Sequence, residues 1–345
     1  MDEPISLTIV TGFLGSGKTT LIRRFLANAG EKIGIVVNEY GEIGLDQLLF
    51  VHAAERLELM ASGCLCCARR NDISRALHQL VTRSRADGGT GIEHALMETS
   101  GLADPAPIIA TILQDPWLRA HVRLRAVITV LDAVNGPETL ARNIEAVRQV
   151  SMADAVVITK GDLRDAKDVH MLEAEIRARA PDATIVDAQD AELDLAQLFT
   201  RDSALPRVRK SSENADLAGA VAHQTRSFVL SLPDEDIDWP AFTLWLSALL
   251  HRHGDRILRV KGMVTVRSTG KPLVIQGVQH VMYPPIHLEE GDAPDQERGL
   301  VFITDGIEQD DIERSLHAFL KAVDRMEDGP AGPSGQPVMA AAPGG

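Results

Sequence analysis

Gly12-Phe13-Leu14-Gly15-Ser16-Gly17-Lys18-Thr19-Thr20 is the stretch that decides how this chain is read. It fits G-x-x-x-x-G-K-[ST], with Gly12, Gly17, Lys18 and Thr19 in the fixed places. An apolar β-type run at residues 7–10 leads in, and a helical pattern of Leu21, Ile22, Phe25 and Leu26 leads out. In that setting the backbone N–H groups of residues 12–20 wrap the phosphates of a nucleotide, and the helix N-terminus adds a favourable dipole. Lys18 is placed to reach the β- and γ-phosphates, and the Thr19 hydroxyl to ligate Mg2+.

Outward from this loop, strand signals at residues 32–37, 56–60, 93–98, 125–131, 154–159 and 184–187 alternate with helical patterns. The helical patterns run over 18–29, 71–85, 105–113, 137–150 and 166–180. Continuous apolar strands such as 126–131 are of the kind buried on both faces. The alternation predicts an α/β fold of the P-loop NTPase type, a doubly wound and mostly parallel sheet over residues 1–200. Its ligand belongs at the carboxyl ends of the strands. Residues 201–222 are polar, contain Pro206 and the basic patch Arg207, Arg209 and Lys210, and read as a linker. Strands at 227–231, 257–267, 272–277 and 299–304, with helices at 239–251 and 310–323, predict a smaller α+β domain over 223–326. Pro, Gly and Ala dominate residues 327–345, where a disordered tail is expected.

Composition narrows the partners. A length of 345 residues suits two domains, and 45 % hydrophobic residues suffice for real cores. The net charge of −14 repels phosphate backbones, so no nucleic-acid partner is expected. The start Met1-Asp2-Glu3-Pro4 lacks the basic and apolar regions of a signal peptide, and no run of 18 apolar residues offers a membrane span. With bare thiols and no targeting segment, a cytoplasmic location is expected.

All three cysteines, Cys64, Cys66 and Cys67, lie in Ser62-Gly63-Cys64-Leu65-Cys66-Cys67. Neighbouring thiols at this spacing suit a soft metal. Redox sensing and buried filler are the alternatives. A disulfide is disfavoured, because the number is odd and no distant cysteine exists to close a loop. Three thiolates leave a tetrahedral ion one ligand short, and His121 is one candidate for the fourth.

Further elements fit a nucleotide site. The strand at 94–97 ends in Glu98-Thr99-Ser100-Gly101. A carboxylate there can hold Mg2+ directly or through water, and the Gly101 N–H can approach the γ-phosphate closely. The strand at 156–158 ends in Thr159-Lys160-Gly161-Asp162, which resembles the N-K-x-D base-reading signature of GTPases with Thr159 in place of the usual Asn. An Asp162 carboxylate accepts two hydrogen bonds from guanine N1–H and its 2-amino group, a donor pair adenine lacks, and the Lys160 stem lies along the base. GTP is therefore expected over ATP. The acidic, glycine-containing segment 38–46 can order around Mg2+ and the γ-phosphate and relax after hydrolysis. Glu42 or Asp46 would orient the attacking water, and no arginine finger in cis is evident, so intrinsic turnover is expected to be slow.

TGFLGSGKTT, NEYGEIGLD, GCLCC, ETSGLADP and TKGD occur in this order, and the set resembles the CobW-type family of metal-trafficking GTPases. Arg259-Val260-Lys261-Gly262, residues 273–278 and residues 300–303 resemble that family's C-terminal domain. The resemblance implies a GTPase that binds zinc or cobalt at Cys64, Cys66 and Cys67 with Glu42 as the carboxylate contributor. It further implies delivery of the metal to a metal-requiring client protein, with a homodimer open to it. A client-specific activator, serving cobalamin synthesis or nitrile hydratase, and a redox-sensing NTPase are the alternatives. Many relatives carry a His-rich stretch; the 11 histidines here are scattered, so metal storage is not expected. In the expected mechanism, GTP orders 38–46 and draws Glu42 towards the thiolates, and hydrolysis loosens the metal site.

Overall fold

Ile5, Leu7 and Ile9 turn to one side of the first strand and Thr8 and Val10 to the other, and every one of them is buried. Two cores therefore flank this strand, as a sheet covered on both faces requires. The computed structural model describes residues 3–28, 33–37, 47–51, 57–61, 70–86, 91–190, 193–200, 225–232, 237–288 and 299–327. Glu42, Asp46, Cys64, Cys66 and Cys67 lie outside the described residues, as do the linker 201–222 and the tail from 328.

The chain runs β1 (Ile5–Thr11), α1 (Lys18–Asn28), β2 (Ile33–Val37), β3 (Gln47–Val51), β4 (Leu57–Ala61), α2 (Arg70–Ala86) and β5 (His94–Glu98). It continues α3 (Pro105–Gln114), α4 (Pro116–His121), β6 (Val122–Asp132), α5 (Gly136–Arg142), α6 (Ile144–Ser151), β7 (Ala155–Thr159), α7 (Ala166–Arg179), β8 (Thr184–Asp187) and α8 (Leu195–Thr200). The sheet order is β4-β3-β2-β5-β1-β6-β7-β8. The pairings from β2 through β8 are parallel, and β3 and β4 add an antiparallel edge. On one face Leu7, Ile9 and Met97 pack with Leu77 and Leu80 of α2 and Ile109 of α3. On the other, Val10, Ile128 and Val130 pack with Leu21 and Phe25 of α1 and Phe199 of α8. Thr8 sits on this second face and donates to the Phe199 carbonyl at 2.9 Å, which satisfies its hydroxyl within the core.

The mostly parallel α/β sheet read from the sequence is thus present, with two local differences. β3, α4 and α8 carry no periodic signal long enough to be read. The helix expected at 137–150 is two helices, broken at Asn143, whose backbone is extended at φ −120° and ψ 113°. Its amide donates to the Thr139 carbonyl at 3.2 Å, the local competition with helical bonding that makes Asn a terminator. Asp115 ends α3 and starts α4, accepting from the N–H groups of Trp117 and Leu118 ahead of a Pro at the first helical position.

The second sheet comprises β9 (Thr225–Leu230), β10 (Ile257–Thr265), β11 (Pro272–Val278), β12 (Val281–Met282), β13 (Ile286–His287) and β14 (Gly299–Asp305), with α9 (Trp239–His253) and α10 (Gln309–Glu327). The order β12-β11-β10-β14-β9 is antiparallel throughout, and β13 pairs with β11. Phe242, Trp245 and Leu246 of α9 and Ile312 and Leu316 of α10 cover one face through Val260, Val264 and Phe302. The opposite face meets the first domain: Val278 and Tyr283 join the core that contains Ile108 and Ile112 of α3. Beside that contact, Arg259 and Lys261 of β10 reach the Asp154 carboxylate at 2.5 and 3.0 Å and Asp182 at 3.4 and 3.9 Å.

Candidate nucleotide site

β1 ends at Thr11, and the chain then doubles back through a loop before α1 begins at Lys18. Gly12, Gly15 and Gly17 have φ of 141°, 72° and 96°. At Gly12 a Cβ would lie 2.2 Å from the Val130 carbonyl oxygen of β6, so only glycine lets the loop leave the sheet here. The Ser16 N–H closes a turn on the Phe13 carbonyl at 3.2 Å, and Leu21 N–H starts the helix on the Gly17 carbonyl at 3.0 Å. Lys18 is buried, and its ammonium donates to the carbonyls of Gly12 at 2.7 Å and Phe13 at 3.1 Å. It is thereby held across the mouth of the loop. Ser16 Oγ is buried within the loop with no hydrogen-bond partner, the mark of a cradle built for a polar ligand. Phe13 packs against the Leu131 and Leu140 core, Leu14 is exposed, and Thr20 is exposed on α1.

The Thr19 hydroxyl donates to Glu98 Oε1 at 2.6 Å. Glu98 is the last residue of β5, buried, and brought beside the loop by parallel pairing of Val10 with Glu98. Thr99 ties the same junction, donating from its N–H to Val10 and from its hydroxyl to Thr11 Oγ1 at 2.8 Å. Gly101 lies against the loop so closely that a Cβ would meet Leu14 N at 2.7 Å and Leu14 Cα at 2.8 Å. Buried Gln149 of α6 donates to the carbonyls of Gly101 at 3.2 Å and Ala103 at 2.9 Å, which fixes this segment from below.

β7 delivers the third part. Thr159 donates to the Ser16 carbonyl at 2.7 Å, so this hydroxyl ties the strand end to the loop. Lys160 has φ 58° and reaches the Gly15 carbonyl at 3.1 Å and the Asp132 carboxylate. Asp162 stands exposed in the short helical turn Gly161–Leu163 and accepts from Gln189 Nε2 at 3.3 Å. Burial would push the Asp132 carboxyl up, but Lys160 and the Val134 and Asn135 donors outweigh it and hold the group below the usual carboxylate range.

Residues 12–20, Glu98, Gly101, Lys160 and Asp162 therefore gather at the carboxyl ends of β1, β5 and β7, the edge where such sheets bind ligands. Asp132, Gln149 and Gln189, whose side chains bond to Lys160, Gly101 and Asp162, carry no motif of their own in the sequence. Asp132 carried one signal, a carboxylate closing an apolar strand as Glu98 does. His121 stacks on Trp117 with centroids 4.0 Å apart and bonds its carbonyl through Nδ1 at 2.8 Å. Among the described residues no cluster of three His, Cys, Asp or Glu could hold a metal ion, and no helix is long and apolar enough to cross a membrane.

Fold and loop together define a P-loop GTPase of the α/β class joined to an antiparallel α+β domain. The nucleotide-binding domain family described as CobW/HypB/UreG matches residues 6–187, and the cobalamin synthesis protein cobW C-terminal domain matches 225–320. The chain belongs to this family. It is 32 % identical to the zinc chaperone YjiA of Escherichia coli over 81 % of this chain and 87 % of that one. To the zinc chaperone CobW of Pseudomonas aeruginosa it is 33 % identical, over 79 % and 80 %. The crystal structure of Zn(II)-bound YjiA GTPase from E. coli superposes with a TM-score of 0.70 at 28 % identity, covering 92 % of this chain and 99 % of that one.

Proposed function

We propose that this GTPase of the CobW family is a cytoplasmic metallochaperone that hydrolyses GTP and carries zinc, or cobalt, to a client protein. The observation that carries the nucleotide half is the Thr19–Glu98 contact beside the Lys18 loop, two hard oxygen donors converging at 2.6 Å. That donor set fits Mg2+, which Thr19 and Glu98 would hold and which supplies charge neutralisation for phosphoryl transfer. Lys18 releases the Gly12 and Phe13 carbonyls to bind the β- and γ-phosphates. The Gly101 N–H takes a γ-phosphate oxygen, and its loss after hydrolysis frees the segment that Gln149 anchors. Asp162 reads the guanine edge, with Lys160 along the base. Glu42 or Asp46 orients the water.

For the metal half, the relatives named as zinc chaperones support the cargo, and Cys64, Cys66 and Cys67 with Glu42 are its ligands. The family limits at 6–187 and 225–320 support a nucleotide domain at 1–200 and a C-terminal α+β domain at 223–326. The net charge of −14 supports a client that is a protein rather than a nucleic acid. The test is paired: Lys18→Ala should abolish GTP hydrolysis while leaving zinc affinity in nucleotide-free buffer intact, and Cys66→Ser should do the reverse. Unchanged zinc affinity in Cys66→Ser, measured against a competing chromophore, would remove the metal assignment.

A further inference from the structure

We propose that Asp132 is a positioning residue of the nucleotide site, holding Lys160 between the base-reading turn and the phosphate loop so that a guanine nucleotide binds tightly. The inference rests on Asp162 reading the base.

Asp132 closes β6 with its carboxylate almost wholly buried, 7 % exposed. Such a group is retained only with partners for both oxygens. Oδ1 accepts from the N–H groups of Val134 at 2.7 Å and Asn135 at 3.3 Å, and Oδ2 from Asn135 Nδ2 at 3.1 Å and from Lys160. Three of these contacts shape the turn into α5. The fourth reaches across to another strand, and it is the charged one.

Lys160 needs that contact. Its φ of 58° is a left-handed conformation that side-chain-bearing residues rarely adopt, and it persists only where surrounding contacts over-determine it. Asp132 and the Gly15 carbonyl are those contacts. The ammonium thus joins the end of β6, the end of β7 and the phosphate loop. The Thr159–Ser16 bond at 2.7 Å fastens β7 to the loop one residue earlier. With its head pinned on Gly15 and its backbone in the turn that carries Asp162, the Lys160 stem spans the gap between phosphate and base recognition.

Asp132→Asn keeps the two backbone caps, because an amide oxygen in the Oδ1 place still accepts from the Val134 and Asn135 N–H groups, while the anion facing Lys160 is gone together with the Asn135 Nδ2 contact at Oδ2. The experiment uses the full chain. Displacement of a fluorescent GDP by GDP, IDP and ADP is measured for wild type, D132N, K160M, the double variant and D162N, with melting curves of each free protein. We expect D132N and K160M each to weaken GDP about tenfold, a modest loss for a charge pair whose lysine is half exposed. The double variant should be no weaker than K160M alone, and the free D132N protein should melt near wild type, which a capping defect would not give. Asp132→Ser, which keeps a hydroxyl acceptor, replaces D132N if that variant does not fold. If D162N still prefers GDP to IDP as wild type does, the base-reading assignment fails. If D162N loses that preference while D132N binds GDP normally, or the two losses add, the positioning role is overturned.

Discussion

Asp154→Asn tests the contact between the two domains. Asp154 is 10 % exposed by side chain and faces Arg259 at 2.5 Å and Lys261 at 3.0 Å, themselves 6 % and 4 % exposed. Removing one partner of a buried ion pair costs roughly 3–5 kcal/mol, because the remaining charge stays out of water. Asp182 remains 3.4 and 3.9 Å from the two cations, and the amide oxygen still accepts from Val127 N–H, so the low end applies, about 3 kcal/mol. Burial pushes the Asp154 carboxyl up, but Lys261, Arg259 and the Val127 N–H outweigh it and hold the group below its ordinary value. A depressed folded value means that the stabilisation is complete above the unfolded value of about 4 and is lost as pH falls through the folded one. Urea unfolding of wild type and variant followed by circular dichroism should therefore show a constant gap from neutral pH to about 5 that narrows below about 4. A gap under about 1 kcal/mol at neutral pH, or one that persists undiminished in acid, would refute the electrostatic reading and leave packing as the cause.

Gly101→Ala places a methyl 2.7 Å from Leu14 N, which cannot swing away as a side chain can, so GTP turnover should fall at least about tenfold in a phosphate-release assay. Wild-type turnover would show that the two segments do not meet this tightly. Thr159→Val deletes the donor to Ser16 and should weaken GDP binding by about 0.5–1.5 kcal/mol, with Thr159→Asn retaining most of the affinity; calorimetry distinguishes them. Asp115→Ala removes the α4 cap and should cost about 1 kcal/mol of stability in urea. Burial opposes ionisation of Asp115, but Ser74, Leu118, His78 and Trp117 draw its carboxyl down to about 2. The cost should accordingly be full above about pH 4 and fade as pH drops towards that value.

The phosphate-loop part of the candidate site is legible because its pattern is local. Gly12, Gly17, Lys18 and Thr19 sit within eight residues, and the strand before them and helix after them are readable by periodicity. Glu98 was legible as a carboxylate ending an apolar strand, although its proximity to Thr19 depends on β1 and β5 being neighbours. Asp132 escaped because its meaning lies in a partner 28 residues away on another strand. Thr159 stands where the signature has Asn, and its hydroxyl reaches the Ser16 carbonyl, a bond visible only once β7 and the loop are side by side. The break at Asn143 was hidden because residues 137–150 keep a helical apolar pattern across it. The domain contact had no linear signature at all: Arg259 and Lys261 look like ordinary strand charges until Asp154 and Asp182 are brought beneath them.

Calorimetric titration of zinc into the protein holding GDP, and again holding a non-hydrolysable GTP analogue with Mg2+, tests most directly whether nucleotide and metal govern each other. The zinc dissociation constants should differ by roughly 5- to 150-fold, the range of ordinary site–site coupling, and zinc should change nucleotide affinity by the same factor. Equal zinc affinities in the two nucleotide states would contradict a nucleotide-governed chaperone.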